Sequence, residues 1–489
     1  MVRSRRIVQS SLHPMAPIHQ MEDFICKYPE LGNEWKSCST PENRHCWLKS
    51  FDGHNFSIHT DYETMYPPGV LREYWLVVDN KTINGDGIDN PYGKVFNQTY
   101  PGPWIKACWG DLIRVHVTNK LRYNGTTVHW HGLSHYSLQY ADGLAGPITI
   151  FGPSSGHYDE AKDPILITDW NHRRNFAGSF PRERYNITVT KGKKYLLRII
   201  NTSVDTTFLF GIDNHYFEVM SSDFVPIHPY TVGHILVEIG QRYHIVPHAK
   251  PRNDTKFPAS DNGNYWVRTV AADGCKGFED GNEPDERQGI LRYEPVSTEN
   301  LKPVLPWSIP PVKLHERDRS KNLELGIEKV KDRPHAGDKF SWWAFGERPL
   351  WLDFSKPTIT LLEGTKEWPD DYVIVPAENR DGWVYLVITA PSLDRIGTNK
   401  TFRSLAHPLH LHGHDFALLA QGTNSSQIND PTTHGLALQI MEREEDLRKI
   451  MTPEKLKQVN DGCKKWKDWY GDQKNNWNPV GVFQDDSGV

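Results

Sequence analysis

Two short stretches of this chain concentrate imidazoles at spacings that suit a metal. The first is His129-Trp-His131-Gly, closely followed by His135; the second is His407-Pro-Leu-His410-Leu-His412-Gly-His414-Asp-Phe. On an extended strand residues i and i+2 point to one face, so His129 and His131 converge on one centre, as do His410 and His412. Neutral imidazole ligates copper, iron, nickel and zinc, and the pattern does not choose among them. Surface histidines show the same spacing by chance, but two copies, each followed by glycine on a β-type run, favour ligands. His414 is read as packing or capping locally.

The elements that must hold these residues read as strands. Asp111 to Asn119 alternates with period two, so one face can be buried, and Lys194–Asn201 and Trp383–Thr389 follow the same pattern. Short runs separated by Gly, Pro, Asn and Asp predict sandwiches or barrels rather than βαβ units. Thr452 and Pro453 form a helix start, and Leu456, Val459, Cys463 and Trp466 recur at helical spacing. The proline-rich stretch 303–311 reads as a linker, followed by a charged, low-apolar segment over 313–338.

With 489 residues the chain is too long for one core, and its 17 tryptophans, 20 tyrosines and 19 phenylalanines supply large surfaces to bury. A net charge of −5 without a basic block argues against nucleic acid as a partner. No run approaches the ~18 consecutive apolar residues of a membrane helix. Nine Asn-X-Ser/Thr sequons, at Asn55, Asn80, Asn97, Asn124, Asn186, Asn201, Asn253, Asn399 and Asn424, lean towards a secreted glycoprotein. Residues 1–20 show no apolar leader core, which leaves an intracellular location open. Of the cysteines, Cys38 and Cys46 are close enough for a short disulfide loop.

Around the histidines the chain resembles the fungal, ascomycete-type laccases of the multicopper oxidase family. His129-Trp-His131-Gly is similar to that family's first copper motif, and Ser134-His135-Tyr-Ser-Leu-Gln-Tyr-Ala-Asp-Gly-Leu to the latter part of the second. The stretch from His407 to Phe416 resembles the third in full. Further matches are Tyr100-Pro-Gly-Pro, Trp109-Gly-Asp, Asp169-Trp, Arg198-Ile-Ile-Asn-Thr-Ser, Asp213-Asn-His and Gly240-Gln-Arg-Tyr. The Cys38–Trp47 stretch and the terminal Asp486-Ser-Gly-Val489 resemble the ends of mature ascomycete laccases.

The resemblance implies an all-β fold of three cupredoxin-like (plastocyanin-like) β-sandwich or barrel domains with a short C-terminal helix. An N-terminal extension over 1–48 precedes domains at 49–155 and 156–304, with a linker and third domain over 305–489. It also implies copper, four ions in an intact member. Phenolic or other aromatic reductants give up single electrons to a type 1 copper, and a trinuclear cluster reduces O2 to water. His407 is then a type 1 ligand, His129 and His410 the type 2 pair, and His131, His135 and His412 three of the type 3 ligands.

Three departures limit that expectation. His131-Gly-Leu runs directly into Ser134-His135, where the family has intervening strands and another histidine, so the first domain is incomplete near 133. The fourth copper motif, His-Cys-His-Ile-X-Trp-His, is missing near 431, and no cysteine lies between Cys275 and Cys463. His434 aligns to a spacer position. The passage from Asp169-Trp to Arg184-Tyr is also short. Family members pair the equivalent of Cys463 with a cysteine of the first missing segment, so Cys463 and Cys275 are expected as free thiols. A blue-copper site needs a thiolate beside two histidines. The chain is therefore expected to hold fewer coppers and to be inactive or weak as a laccase. Alternatives are a non-catalytic copper-binding relic or partner protein, and a ferroxidase or ascorbate oxidase type. Oligomeric state and physiological substrate are not legible.

Overall fold

The structure, a computed structural model, describes residues 8–13, 24–62, 64–85, 89–121, 128, 130, 143–171, 184–203, 206–255, 258–260, 262–271, 287–295, 324–329, 339–345, 348–349 and 452–470. Apart from one helix, Pro453–Tyr470, and a 3-10 turn at Pro29–Leu31, the regular elements among these residues are strands. The chain divides into two compact units: Met1–Leu121 with Gln139–His315, and Arg122–Leu138 with Glu316–Val489.

The best-packed part of the first unit is a two-sheet sandwich. One sheet runs in the order Val8–His13, Ile165–Asn171, Tyr195–Asn201, Arg242–Pro247, Phe217–Ser222, Val225–Val232, with Glu160–Ala161 beside Tyr195–Asn201. The other runs Tyr185–Val189, Arg287–Tyr293, Asn264–Ala271, Phe208–Ile212, His234–Val237. Alternate positions supply the core between them. Ile165, Ile167, Tyr195, Leu197, Ile199 and Phe217 come from the first sheet, and Ile187, Val189, Phe208, Phe210, Ile212 and Val267 from the second. This is the period-two arithmetic of a half-buried strand, applied on two facing sheets.

Tyr195–Asn201 departs from simple alternation, because both of its faces are buried. Leu196, on the outer face, packs with Met220, Val246 and Tyr158, so the strand is covered from outside as well. Sequence periodicity shows one such layer and hides the second.

Around the strand Leu112–Asn119 the packing is thinner. It pairs in parallel with Leu71–Asn80, which pairs on its other side with Lys94–Phe96. The face expected to be buried is only half-covered at Ile113 and Val115, and Val117 is exposed. Arg114 and His116 on the opposite face meet Glu73, and the His116 ring stacks on Trp75 with centroids 5.0 Å apart. Three smaller sheets, Trp35–Ser37/Cys46–Ser50/Asn55–Ser57, Ile105–Cys108/Ile148–Phe151 and Ile83–Asn84/Asp89–Asn90, complete the described frame here.

The residues before 48, read above as an extension, take part in these sheets. Cys46–Ser50 crosses position 48 between two partner strands, and Val8–His13 pairs antiparallel along Ile165–Asn171. A disulfide joins Cys26 to Cys108, and a second joins Cys38 to Cys46.

In the second unit, Glu324–Lys329 pairs antiparallel with Lys339–Phe345, which pairs with Arg348–Pro349. The charged stretch 313–338 therefore contains a strand: Leu325 and Ile327 alternate with Glu324, Gly326 and Glu328, a period-two signal diluted by its charged flanks. The helix starts as the sequence expects, with the Lys455 amide donating to Thr452 Oγ1 at 3.4 Å. Leu456 is buried and Val459 and Cys463 half-buried on one stripe. The proposed linker at 303–311 and the run Trp383–Thr389 lie outside the described residues.

Candidate copper site

His129, His131, His135, His407, His410 and His412 lie outside the described residues, as do His414 and His434. What is described is the frame on either side of the first histidine stretch. Val128 and Trp130, which flank His129, are both half-buried.

The frame starts at Trp109-Gly-Asp. Asp111, its side chain fully buried, accepts hydrogen bonds from the amides of Val70 and Cys108 and from Arg72 Nε, each at 2.8 Å. Three donors on one carboxylate fix the start of Leu112–Asn119, which carries the chain towards His129. Gly110 has φ +88, and a Cβ there would lie 1.8 Å from Pro67 O, so only glycine fits the turn. On the far side, Gly143 of the Ala-Asp-Gly-Leu run has φ +109, and a Cβ there would meet Ile83 Cδ1 at 2.6 Å and Tyr100 Cδ2 at 3.3 Å. Gly102 donates to Ala145 O at 2.7 Å. Tyr100-Pro-Gly-Pro is thus seated against the chain emerging from the histidine stretch.

The other matched motifs are joints of the two-sheet sandwich. In Arg198-Ile-Ile-Asn-Thr-Ser, Asn201 donates to Thr206 O (3.0 Å) and Val237 O (2.9 Å) and accepts from the Ser203 amide, while Ser203 Oγ accepts from the Asp169 amide. In Asp213-Asn-His, Asp213 receives Arg268 in two bonds of 2.6 and 2.7 Å with both side chains buried. His215 lies between Asp213 O and Tyr293 Oη, each 2.7 Å away. Burial pushes His215 down to about 4, opposed by the bond to Asp213 O. In Gly240-Gln-Arg-Tyr, Gln241 Oε1 accepts from the Glu238 amide at 2.9 Å. These residues resemble the family's because they hold its fold.

The cysteines bear directly on the donor set. Cys26, Cys38, Cys46 and Cys108 are tied in disulfides and offer no thiolate. Cys463, on the helix, is free and half-buried; Cys275 lies outside the described residues. No cluster of three His, Cys, Asp or Glu able to hold a metal occurs among the described residues. The Cys26–Cys108 bond, between residues 82 apart, was not legible in the sequence. Nothing in local spacing announces a crosslink between an N-terminal segment and the strand Ile105–Cys108.

Three stretches of the chain, 77–158, 156–295 and 348–449, match family models described as multicopper oxidase. The histidine stretches fall in the first and third. The chain belongs to the multicopper oxidase family, whose cofactor is copper. Within it the similarity is to laccases. The laccase of Arthroderma benhamiae is 34% identical, with 95% of this chain and 92% of that protein covered. Laccase-1 of Botryotinia fuckeliana is 30% identical, covering 94% of this chain and 95% of that one. The crystal structure of the laccase from Botrytis aclada superposes with a TM-score of 0.64 at 25% identity, over 93% of this chain and 100% of that one. By family, then, the chain is a laccase-like oxidoreductase with cupredoxin-like domains. The Arthroderma alignment runs over 604 positions against the 489 residues here, so at least 115 positions stand opposite gaps in this chain.

Proposed function

We propose that this chain holds copper through His129, His131, His135, His407, His410 and His412, and that it oxidises laccase substrates weakly or not at all. The observation that carries this reading is the state of the sulfurs. Four of six cysteines are disulfide-bonded, and the other two, Cys275 and Cys463, stand in no His-Cys-His sequence. Imidazoles suit copper, so the donor set fits ions held by nitrogen. It does not fit a blue site, whose thiolate also carries electrons onward.

One observation supports the gaps between the histidine stretches. The surplus of alignment positions over residues is what missing internal segments near 133 and 431 produce. A longer transcript, restoring the His-Cys-His motif between Pro431 and Gly435, is expected from sequencing across 131–135 and 429–435. Such a form would take O2 and small phenolic or aromatic reductants. The sequons support export from a fungal cell, and no helix among the described residues is long and apolar enough to cross a membrane.

The test is metal content and spectrum. Reconstituted protein is expected to bind one or two coppers without the intense blue band of a copper–thiolate bond, and to show no phenol-dependent O2 uptake above free copper. Four coppers with a strong blue band would overturn the proposal. Binding without turnover supports the relic reading over a weak enzyme, and comparing a phenol with ferrous iron separates laccase from ferroxidase behaviour in any longer form.

A further inference from the structure

The sequons are chemically alike in sequence, and the fold makes them unlike. We propose that Asn55, Asn80 and Asn253 carry N-linked oligosaccharides in the folded protein and that Asn97 and Asn201 do not. This rests on the reading that the chain is exported. In the modification, the carboxamide nitrogen takes C1 of an oligosaccharide from a lipid-linked pyrophosphate donor. The N–C1 bond forms, the C1–O bond to pyrophosphate breaks, and one amide proton leaves.

The new secondary amide is planar and trans, so C1 replaces the hydrogen lying on the same side as Oδ1, and a single N–H remains opposite it. Any asparagine that needs both hydrogens, or needs the one beside Oδ1, loses a fold contact when modified. Asn201 needs both: it is 1% exposed and donates to Thr206 O and to Val237 O. Its Oδ1 accepts from the amide of Ser203, whose own hydroxyl is taken by the Asp169 amide. The whole Asn-Thr-Ser sequon is an internal brace, with no room for a sugar.

Asn97 is exposed but engaged in a different way. Its Oδ1 accepts from the Val77 amide at 2.6 Å while its Nδ2 donates to Trp75 O at 2.9 Å. Trp75 C=O and Val77 N–H lie along one edge of the strand Leu71–Asn80, so one carboxamide can serve both only with Oδ1 and the hydrogen beside it. That hydrogen is the one C1 would replace. Asn97 sits at φ +49 just past Lys94–Phe96; its backbone amide still donates to Val77 O at 2.9 Å, and its side chain extends the ladder beyond that bond.

Asn55, Asn80 and Asn253 make no such demand. All three are exposed. Among the described residues the carboxamides of Asn55 and Asn80 have no hydrogen-bond partner, and Asn253 uses only Oδ1, which accepts from the Ala259 amide at 3.1 Å and still can after modification.

Transfer occurs on the emerging chain, where every sequon is open, so folding acts as the filter: a molecule modified at Asn201 cannot bury it. The full chain is expressed behind a secretory leader in a eukaryotic host, and the protease-resistant, soluble fraction is treated with peptide N-glycosidase in ¹⁸O-water. Asparagines that carried glycan become ¹⁸O-aspartate, located by mass spectrometry. Label is expected at Asn55, Asn80 and Asn253. Label at Asn97 or Asn201, or its absence from any of the three, overturns the proposal. Thr99→Val, which destroys the sequon at 97 but keeps the carboxamide, is expected to leave the glycan pattern unchanged; Asn80→Gln is expected to remove one glycan. The leader makes this test independent of export. Native protein found only in cell extracts would overturn the localisation reading while leaving the site pattern to stand.

Discussion

Acid should weaken the two-sheet sandwich through one buried histidine, and the structure sets the size of the effect. Asp213 O is a carbonyl and can only accept, so His215 Nδ1 carries the hydrogen and Nε2 accepts from the Tyr293 hydroxyl. The ring is held neutral, 4% exposed, against Tyr265 and Tyr293. Burial lowers it from 6.5 to about 4. Between those values the unfolded chain binds a proton that the folded one refuses. The stability from this group is therefore fully present above pH 6.5 and lost as pH falls through about 4. At 1.36 kcal/mol per unit the loss is about 3 kcal/mol. The perturbation is His215→Gln, whose amide can donate to Asp213 O and accept from Tyr293 but cannot titrate in this range. Urea unfolding followed by tryptophan fluorescence at pH 7 and pH 4 is expected to show wild type losing about 3 kcal/mol more than the variant. Equal losses in the two proteins would refute the argument, because the proton difference would then lie elsewhere.

Other expectations follow from the same packing. Arg268→Met leaves the Asp213 carboxylate buried without its partner and should cost about 3–5 kcal/mol in urea; a change under ~1 kcal/mol would mean that water reaches the pair. Replacing Cys26 and Cys108 by Ser should cost about 2 kcal/mol more than replacing Cys38 and Cys46, because the loops closed span 82 and 8 residues; comparable melting shifts would contradict this. Proline scanning tests the N-terminal strand. Ile167 O and the Asp169 amide are engaged by Thr202 and Ser203, so the alternate backbone groups, at Leu166, Thr168 and Trp170, face Val8–His13. Ser11, opposite Thr168, therefore points its N–H at its partner, and Ser10 points away. Ser11→Pro should release the segment to protease while Ser10→Pro should not; release by both, or by neither, would rule out the register.

The sequence carried some elements plainly. Leu112–Asn119 was legible as a strand because apolar and polar residues alternate along it, and the helix at Pro453 because its cap and stripe are local. The short Cys38–Cys46 loop was visible for the same reason. Less was legible where partners are distant. The N-terminal Val8–His13 looks like a polar tail until Ile165–Asn171 offers it an edge, and Glu324–Lys329 is a weak pattern until Lys339–Phe345 lies beside it. Of the candidate copper site, residue types and spacing were readable in the sequence, and the six histidines themselves lie outside the described residues.

What the sequence determined by itself is the chemical inventory: imidazoles at strand spacing, family motifs in order, and no cysteine in a His-Cys-His run. These follow from covalent order, which folding cannot alter. What the tertiary structure decided is which identical groups are free to act. It placed Asn201 in a brace and left Asn80 in solvent, tied Cys26 to Cys108, and held His215 neutral. Each depends on burial and on hydrogen bonds between residues far apart in the chain, and a group's reactivity is set by the neighbours that folding brings to it.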